Sequence, residues 1–260
     1  MTTTWSYGGT ALSTFGRVTL INDYLDMPQR RGEDIEIPFN HGEVFVEKYY
    51  SGRTLSFGIT LSVTDAATLE STIDTLKSLL APMTQQTLSH TMADSTIRTI
   101  QATVNDLLES DRVASNLMSF VVTFRCSDPF FRLSTIIADN TTTINASPKA
   151  MTVTNPGKVT EYNPTILLTG PLTNPVITNS TNGFVLTYTG VISAGHTVTI
   201  GKTSGAYYAT HSVSGNVIGN VTHSGGAELM RLNVGNNSLS ITSSVTTTGT
   251  VKVSFYAPFL

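Results

Sequence analysis

Cysteine is nearly absent from this 260-residue sequence; Cys126 stands alone, so no disulfide can close within the chain. Charge is scarce too. Only 13% of residues are charged, and 15 Lys and Arg against 18 Asp and Glu leave a formal net charge of -3. A protein that grips nucleic acid by neutralising phosphates needs a basic surplus, which excludes that class. With 40% hydrophobic residues and so little net charge, the chain also falls outside the composition of disordered proteins. Long apolar runs are missing: stretches such as Ile166-Leu167-Leu168 fall far short of the roughly 20 residues that cross a bilayer. No basic start followed by an apolar stretch reads as a secretory signal. These absences predict a soluble protein, made in a reducing cytoplasm, with no membrane partner.

What charge there is lies unevenly. Residues 1–135 carry 25 charged side chains and residues 136–260 carry 8. The poor half is rich in Thr, Ser, Asn, Gly and Val, a mixture of strand formers and turn residues. The expectation is two domains, residues 1–138 and 150–260, joined by a polar stretch at 139–149 that suits a linker or an exposed crossing strand.

In the first half, Gly32 to Phe39 and Arg53 to Val63 alternate polar and apolar residues, the period of half-buried strands. The period then changes. Leu69, Ile73, Leu76 and Leu80 recur at spacings of four, three and four, predicting a helix of about four turns. Asp65 is its expected N-cap and Pro82 its stop. Strands return at Thr96 to Leu107 and Leu117 to Arg125, which makes an α+β domain with one main helix. The second half reads as short strands near 151–154, 164–169, 175–178, 184–189, 197–200, 229–233, 238–242 and 250–256. Asn182-Gly183 signals a hairpin and Gly235-Asn236-Asn237 another reversal. About eight short antiparallel strands predict an all-β sandwich.

Little in the sequence carries chemistry. A phosphate loop at Gly195 to Thr203 would need glycine at position 196, where His196 stands, and strands flank it where a helix should follow. His41, His90, His196, His211 and His223 show no metal-ligand spacing, and Cys126 reads as a small buried strand residue. Acid–base catalysis needs converging carboxylates, yet the second half offers only Asp139, Glu161 and Glu228. No enzyme activity, metal or cofactor is expected. Asp23, Asp26, Glu33, Asp34 and Glu36 cluster beside Arg30 and Arg31, a pattern that reads as a solvated, salt-bridging loop or a subunit contact. Trp5, Tyr7 and Phe15 sit in a glycine-rich segment and are expected to form an arm lying on a neighbour. Tyr207 and Tyr208 are the candidate sugar-stacking platforms of the sandwich, one of them expected in its core.

Several segments together resemble one family. Arg53 to Val63 leading into the Asp65 to Pro82 helix, then Phe124-Arg125-Cys126-Ser127-Asp128-Pro129-Phe130-Phe131, resemble the N-terminal domain of the distal tail (Dit) proteins of long-tailed phages with non-contractile tails. Asn155-Pro156-Gly157, Asn163-Pro164-Thr165-Ile166 with Gly170, Ile192 to Gly195, and Leu232 to Leu239 resemble that family's C-terminal sandwich. The resemblance implies a hexameric ring around the tail channel and a galectin-like or jelly-roll-like sandwich projecting from it. It implies a structural virion protein at the distal end of the tail, assembled in the host cytoplasm. The implied partners are the protein's own copies, the major tail tube protein and the tip hub or tail-associated protein, with the tape measure protein and side fibres beyond them. DNA would only pass through. On this reading Asp23, Asp26, Arg30, Arg31, Glu33, Asp34 and Glu36 are the candidates for the channel wall or an inter-subunit contact, with some of the five acids facing the channel, where carboxylates would repel passing phosphates, or an adjacent subunit. The alternatives are another tube or tip component, or a carbohydrate-binding β-sandwich protein.

Overall fold

The structure is a computed structural model that describes residues 4–21, 26–39, 41–203, 205–226, 228–245 and 248–260, with only the backbone described for 107–111 and 139. Contacts divide the chain into two compact units, Met1–Ser134 with Leu260, and Thr135–Phe259.

The first unit opens with β1 (Thr4–Tyr7) and β2 (Thr10–Ala11), joined by a tight turn in which Gly8 and Gly9 take φ of 55° and 84°. These are left-handed conformations that suit glycine. After a 3-10 turn comes β3 (Arg17–Leu20). A ribbon of two nested short ladders follows, β4 (Arg30–Arg31) pairing with β7 (Tyr49–Tyr50) and, between them in the chain, β5 (Ile35–Glu36) with β6 (Glu43–Val44). Next are β8 (Arg53–Ser62), α1 (Ala66–Leu80), β9 (Gln86–Thr91), β10 (Ile97–Ala114), β11 (Leu117–Cys126) and β12 (Phe131–Leu133). The main path runs β2-β1-β9-β10-β11-β8-β3, with β12 also on β10. β10 does two jobs in its 18 residues: Ile97–Ala102 pairs with β9, and Thr103–Ala114 pairs with β11 across three register shifts. One strand thereby carries the ladder from one sheet into another.

β8 shows why this unit folds. Arg53, Leu55, Phe57, Ile59 and Leu61 are buried and alternate with exposed or half-buried residues, as the period of two requires. The helix obeys its own period: Leu69, Leu76 and Leu80 are buried and Ile73 half-buried. Asp65 caps it, Oδ1 accepting from Thr68 N at 2.8 Å.

The arm expected from Trp5, Tyr7 and Phe15 is instead core. All three are buried within their own chain, Tyr7 completely. β1 lies against β9, with Trp5 opposite His90 in register and stacked on its ring at 4.1 Å. Trp-Ser-Tyr has the period of a half-buried strand, and the edge of β9 gives it a place to dock. The expected half-buried strand at 32–39 shortens to Ile35–Glu36, with Ile35 61% exposed.

In the second unit β13 (Ile137–Thr143), β14 (Lys149–Asn155), β15 (Thr165–Thr169), β16 (Leu172–Thr173), β17 (Val176–Asn179), β18 (Phe184–Tyr188), β19 (Val191–Ile192), β20 (Thr197–Thr203), β21 (Ala206–His211), β22 (Gly215–Asn216), β23 (Val221–His223), β24 (Gly235–Thr242) and β25 (Thr250–Phe255) follow one another. One sheet has the order β13-β25-β15-β20-β21-β22 and the other β14-β24-β17-β18-β23. Each buries one face: Ile166, Leu168, Val198, Ile200, Val251 and Val253 from the first, Val153, Ile177, Leu186, Leu239 and Ile241 from the second. This is the burial pattern of a β-sandwich. The stretch around 139–149 supplies most of β13 and the start of β14.

Residues 229–233 form no strand, only a bridge between Leu232 and Glu161. Asparagine side chains occupy the backbone there: Asn179 and Asn182 both donate to Arg231 O, at 2.7 and 2.8 Å. The reversal expected at Gly235-Asn236-Asn237 ends at Gly235, and Asn237 is fully buried inside β24. Its amide donates to the carbonyls of Asn233, Gly235 and Val153 while its Oδ1 accepts from Asn233 N at 2.8 Å. The Asn182-Gly183 turn lies between β17 and β18 as expected, Gly183 N donating to Asn179 O at 2.7 Å.

Candidate functional site

The charged cluster of the first half is built on an irregular two-stranded ribbon. Arg30 pairs with Tyr50 and Arg31 with Tyr49; farther out, Ile35 pairs with Val44 and Glu36 with Glu43. Ser51 N closes the base by donating to Gln29 O at 2.7 Å. Between the two short ladders, Asp34 holds the ribbon together. It accepts from Val46 N at 3.0 Å and from Lys48 Nζ at 2.8 Å, and those bonds, the lysine's first, hold its carboxyl below the usual carboxylate range.

Beyond Asp34 the ribbon is open to solvent. Glu33, Glu36, Glu43 and Glu47 are exposed, as are Arg30, Arg31 and Asp26. Glu36 and Glu43 face each other across the ladder, a like-charge pair that weakens an isolated hairpin. Apolar side chains share the same exposure: Phe39 is fully exposed, Phe45 is 78% exposed, and Ile35, Val44 and Tyr49 are more than half exposed. Of the expected cluster the structure thus brings together Arg30, Arg31, Glu33, Asp34 and Glu36. Asp26 stands at its base, where its backbone carbonyl accepts from Arg53 Nη2. Asp23 lies outside the described residues.

The sequence reading missed the apolar half of this surface. Val44-Phe45-Val46 was the available signal, an apolar run in a segment too short and too glycine-bounded for a core strand. So much uncovered apolar surface in one short segment is more than a solvated loop needs and makes the ribbon the candidate interaction surface.

Elsewhere the candidates have structural roles. Cys126 is buried at the end of β11, and burial pushes its thiol up to about 12, which removes its nucleophilic form. His211 accepts from the backbone N–H groups of Val213 and Ser214, both at 3.1 Å, and fixes a turn. Tyr207 and Tyr208 are both half-buried, so neither is core; the Tyr207 hydroxyl donates to Asn163 Oδ1 at 3.1 Å, and Lys202 Nζ lies over its ring, 5.0 Å from the centroid. Gly195 and Gly201 belong to a turn and to β20, with no helix N-terminus to cradle a phosphate.

No protein-family model and no curated protein sequence matches the chain. Among solved structures, the chain is similar to the SPP1 Dit (gp 19.1) protein, which is described as a paradigm of the hub adsorption apparatus in phages infecting Gram-positive bacteria. The TM-score is 0.71 over 100% of both chains, at 16% sequence identity. The fold is that of a Dit protein. A chain of the phage P2 baseplate in its activated conformation with calcium is also similar, with a TM-score of 0.51 over 100% of both chains at 9% identity. The ribbon, the capped helix and the β-sandwich all lie within the matched length.

Proposed function

We propose that this protein is a structural component of a phage tail, a distal tail hub whose copies close into a ring between the tail tube and the tail tip. The observation that carries the reading is the exposed ribbon, apolar and acidic at once, on a chain with the Dit fold along its whole length. A ring requires head-to-tail contact between two different patches of one subunit, and a projecting ribbon is suited to reach a neighbour. Phe39, Phe45 and Val44 would supply the buried anchors of that contact. Glu33, Glu36 and Glu43 would lie at its polar rim or toward the channel, where carboxylates keep passing DNA from adhering.

On this reading the first unit forms the ring and the second is a galectin-like sandwich projecting from it. The partners are further copies of the chain, probed as a hexamer, the tail tube protein on one side and the tip hub on the other. The protein acts in the virion without catalysing a reaction. The test is the mass of the full-length protein by light scattering after gel filtration, with negative-stain images of the same fractions, alone and with the tube protein of the same phage. A ring of about six subunits, in either preparation, agrees with the proposal. A chain that remains monomeric in both overturns it.

A further inference from the structure

The core-facing residues of β3 are less covered than their partners. In register Val18 lies opposite Ile59 and Leu20 opposite Phe57, so all four point to one side of the sheet. Ile59 and Phe57 are fully buried, whereas Val18 and Leu20 are only half-buried. β3 also ends the sheet path, and among the described residues no strand pairs with its outer edge. Between β1 and β3 the core stays open as a cavity of about 340 Å³. Its floor is the buried Trp5, stacked on His90; Val18 and Leu20 wall it, and Thr4, Ser13 and Arg17 stand exposed around it. An edge strand with uncovered core-facing side chains is a surface that folded proteins normally cover.

The ribbon carries the complementary shape. Its tip is a loop closed by Ile37 N donating to Gly42 O at 3.4 Å, and there Phe39 is fully exposed with φ of 61°. A bulky residue in the left-handed region is an outlier, because its Cβ crowds the backbone. Full exposure means that no packing within the chain offsets this strain, which is how a segment shaped for a partner looks without it. An apolar cavity of about 150 Å³ already accommodates benzene, so a phenyl ring fits the one beside β3. The charges agree as well. Glu36 and Glu43 flank the tip and are exposed, whereas the exposed charge lining the cavity is Arg17, with no acid among the lining residues.

We propose that this cavity receives the ribbon tip of a second copy of the chain, with Phe39 seated against Val18, Leu20 and the Trp5 ring. The inference rests on the ring reading above and adds the surface that the ribbon meets. The contact is heterologous, since tip and cavity are different patches of one subunit, and each copy both gives a tip and takes one.

The experiment uses the full-length protein, alone and with the tube protein of the same phage, in three variants: Phe39→Cys, Leu20→Cys and Thr19→Cys. Thr19 is the control, because it adjoins Leu20 on β3 but points to the opposite face and is exposed. Cys126 is buried and stays out of the exchange. Phe39→Cys is mixed with each of the others under mild oxidation, so that only a bond between different chains can join the two positions, and the joined peptides are read by mass spectrometry. The 39–20 pair should form at least about tenfold more than the 39–19 pair, although Thr19 is the more exposed partner. Leu20→Trp, which fills the cavity, should weaken self-association in sedimentation more than about tenfold, as Phe39→Ser does, and the double variant should be no weaker than either alone. Should Leu20→Trp fail to fold, the cross-linking decides alone. A ring that forms while the 39–20 pair is absent, or no more abundant than the 39–19 pair, overturns this contact and leaves the ring itself standing. Additive losses in the two folded variants overturn the contact too. Protein that stays monomeric and unlinked in both preparations overturns contact and ring together.

Discussion

Replacing both Phe39 and Phe45 by Ser tests the proposed interface directly. Phe39 is fully exposed and Phe45 78% exposed, so neither contributes appreciably to the core of its own unit. A phenylalanine offers about 150–250 Å² of surface. At ~25 cal/mol per Å², complete burial against a neighbour would be worth roughly 4–6 kcal/mol for each ring. Ordering the ribbon and desolvating its carboxylates offset part of this, leaving about 2 kcal/mol for a well-seated anchor. Loss of one such anchor weakens each subunit contact roughly 30-fold, and loss of two weakens it further. The double variant should therefore sediment as monomer at concentrations where the wild type assembles. Its unfolding free energy should stay within about 0.5 kcal/mol of wild type, as for other surface substitutions. Assembly unchanged in the variant would refute the interface. A fall in stability of several kcal/mol would refute it differently, by showing that the rings are internal to the monomer.

Other consequences can be measured on the same protein. Asp65→Ala removes the cap from α1 and should lower the melting temperature by a few degrees at neutral pH. Hydrogen bonds from Thr68 N and the Thr64 and Thr68 hydroxyls depress the Asp65 pKa, so its stabilisation is present above about pH 4 and lost as the pH falls through the folded value. The difference in melting temperature between wild type and variant should shrink accordingly in acid. Cys126 should resist thiol reagents in the native protein and react once the chain unfolds. Because its folded pKa is raised to about 12, the protonated thiol favours the native state below about pH 8.5, and that contribution should fade as the pH rises from there toward the folded value. A melting temperature flat across that alkaline range in wild type, and no different from Cys126→Ala, would contradict this. Asn237→Ala strands the carbonyls of Val153, Asn233 and Gly235 in the sandwich core and should cost about 2–4 kcal/mol by denaturant unfolding.

Local periodicity made α1, β8 and β11 legible, because each repeats its own burial pattern over enough residues to distinguish 3.6 from 2. β1 was legible as a pattern but not as a partner. Trp5 and Tyr7 alternate correctly, yet what buries them is β9, more than 80 residues away, and nothing nearby in the chain announces it. β21 was hidden because Tyr207 and Tyr208 are equally half-buried, which erases the alternation expected of a strand. In 229–233 apolar residues led the reading toward a strand, while asparagine amides took the backbone groups a strand would have used. The charged half of the ribbon could be read from Glu33, Asp34 and Glu36 alone. Its apolar half required knowing that Phe39 and Phe45 had found no core. Arg53 left no trace at all, since a lone arginine at the start of a strand looks like any exposed one until its burial is seen.

The Asn182-Gly183 turn has a consequence for how the protein ages. Asn-Gly pairs deamidate when the glycine nitrogen attacks the asparagine side-chain carbonyl carbon and ammonia leaves. Here Gly183 N is engaged with Asn179 O at 2.7 Å. The Asn182 amide is tethered to Arg231 O and to Asn233 Oδ1, while its own oxygen accepts from Phe184 N. Nucleophile and target are thus each held in place by other bonds. A hairpin that in a free peptide would be the chain's quickest site of spontaneous hydrolytic damage is protected here for as long as the sandwich stays folded. On the proposed tail role, in a particle that makes no new protein, that would turn a folding detail into shelf life.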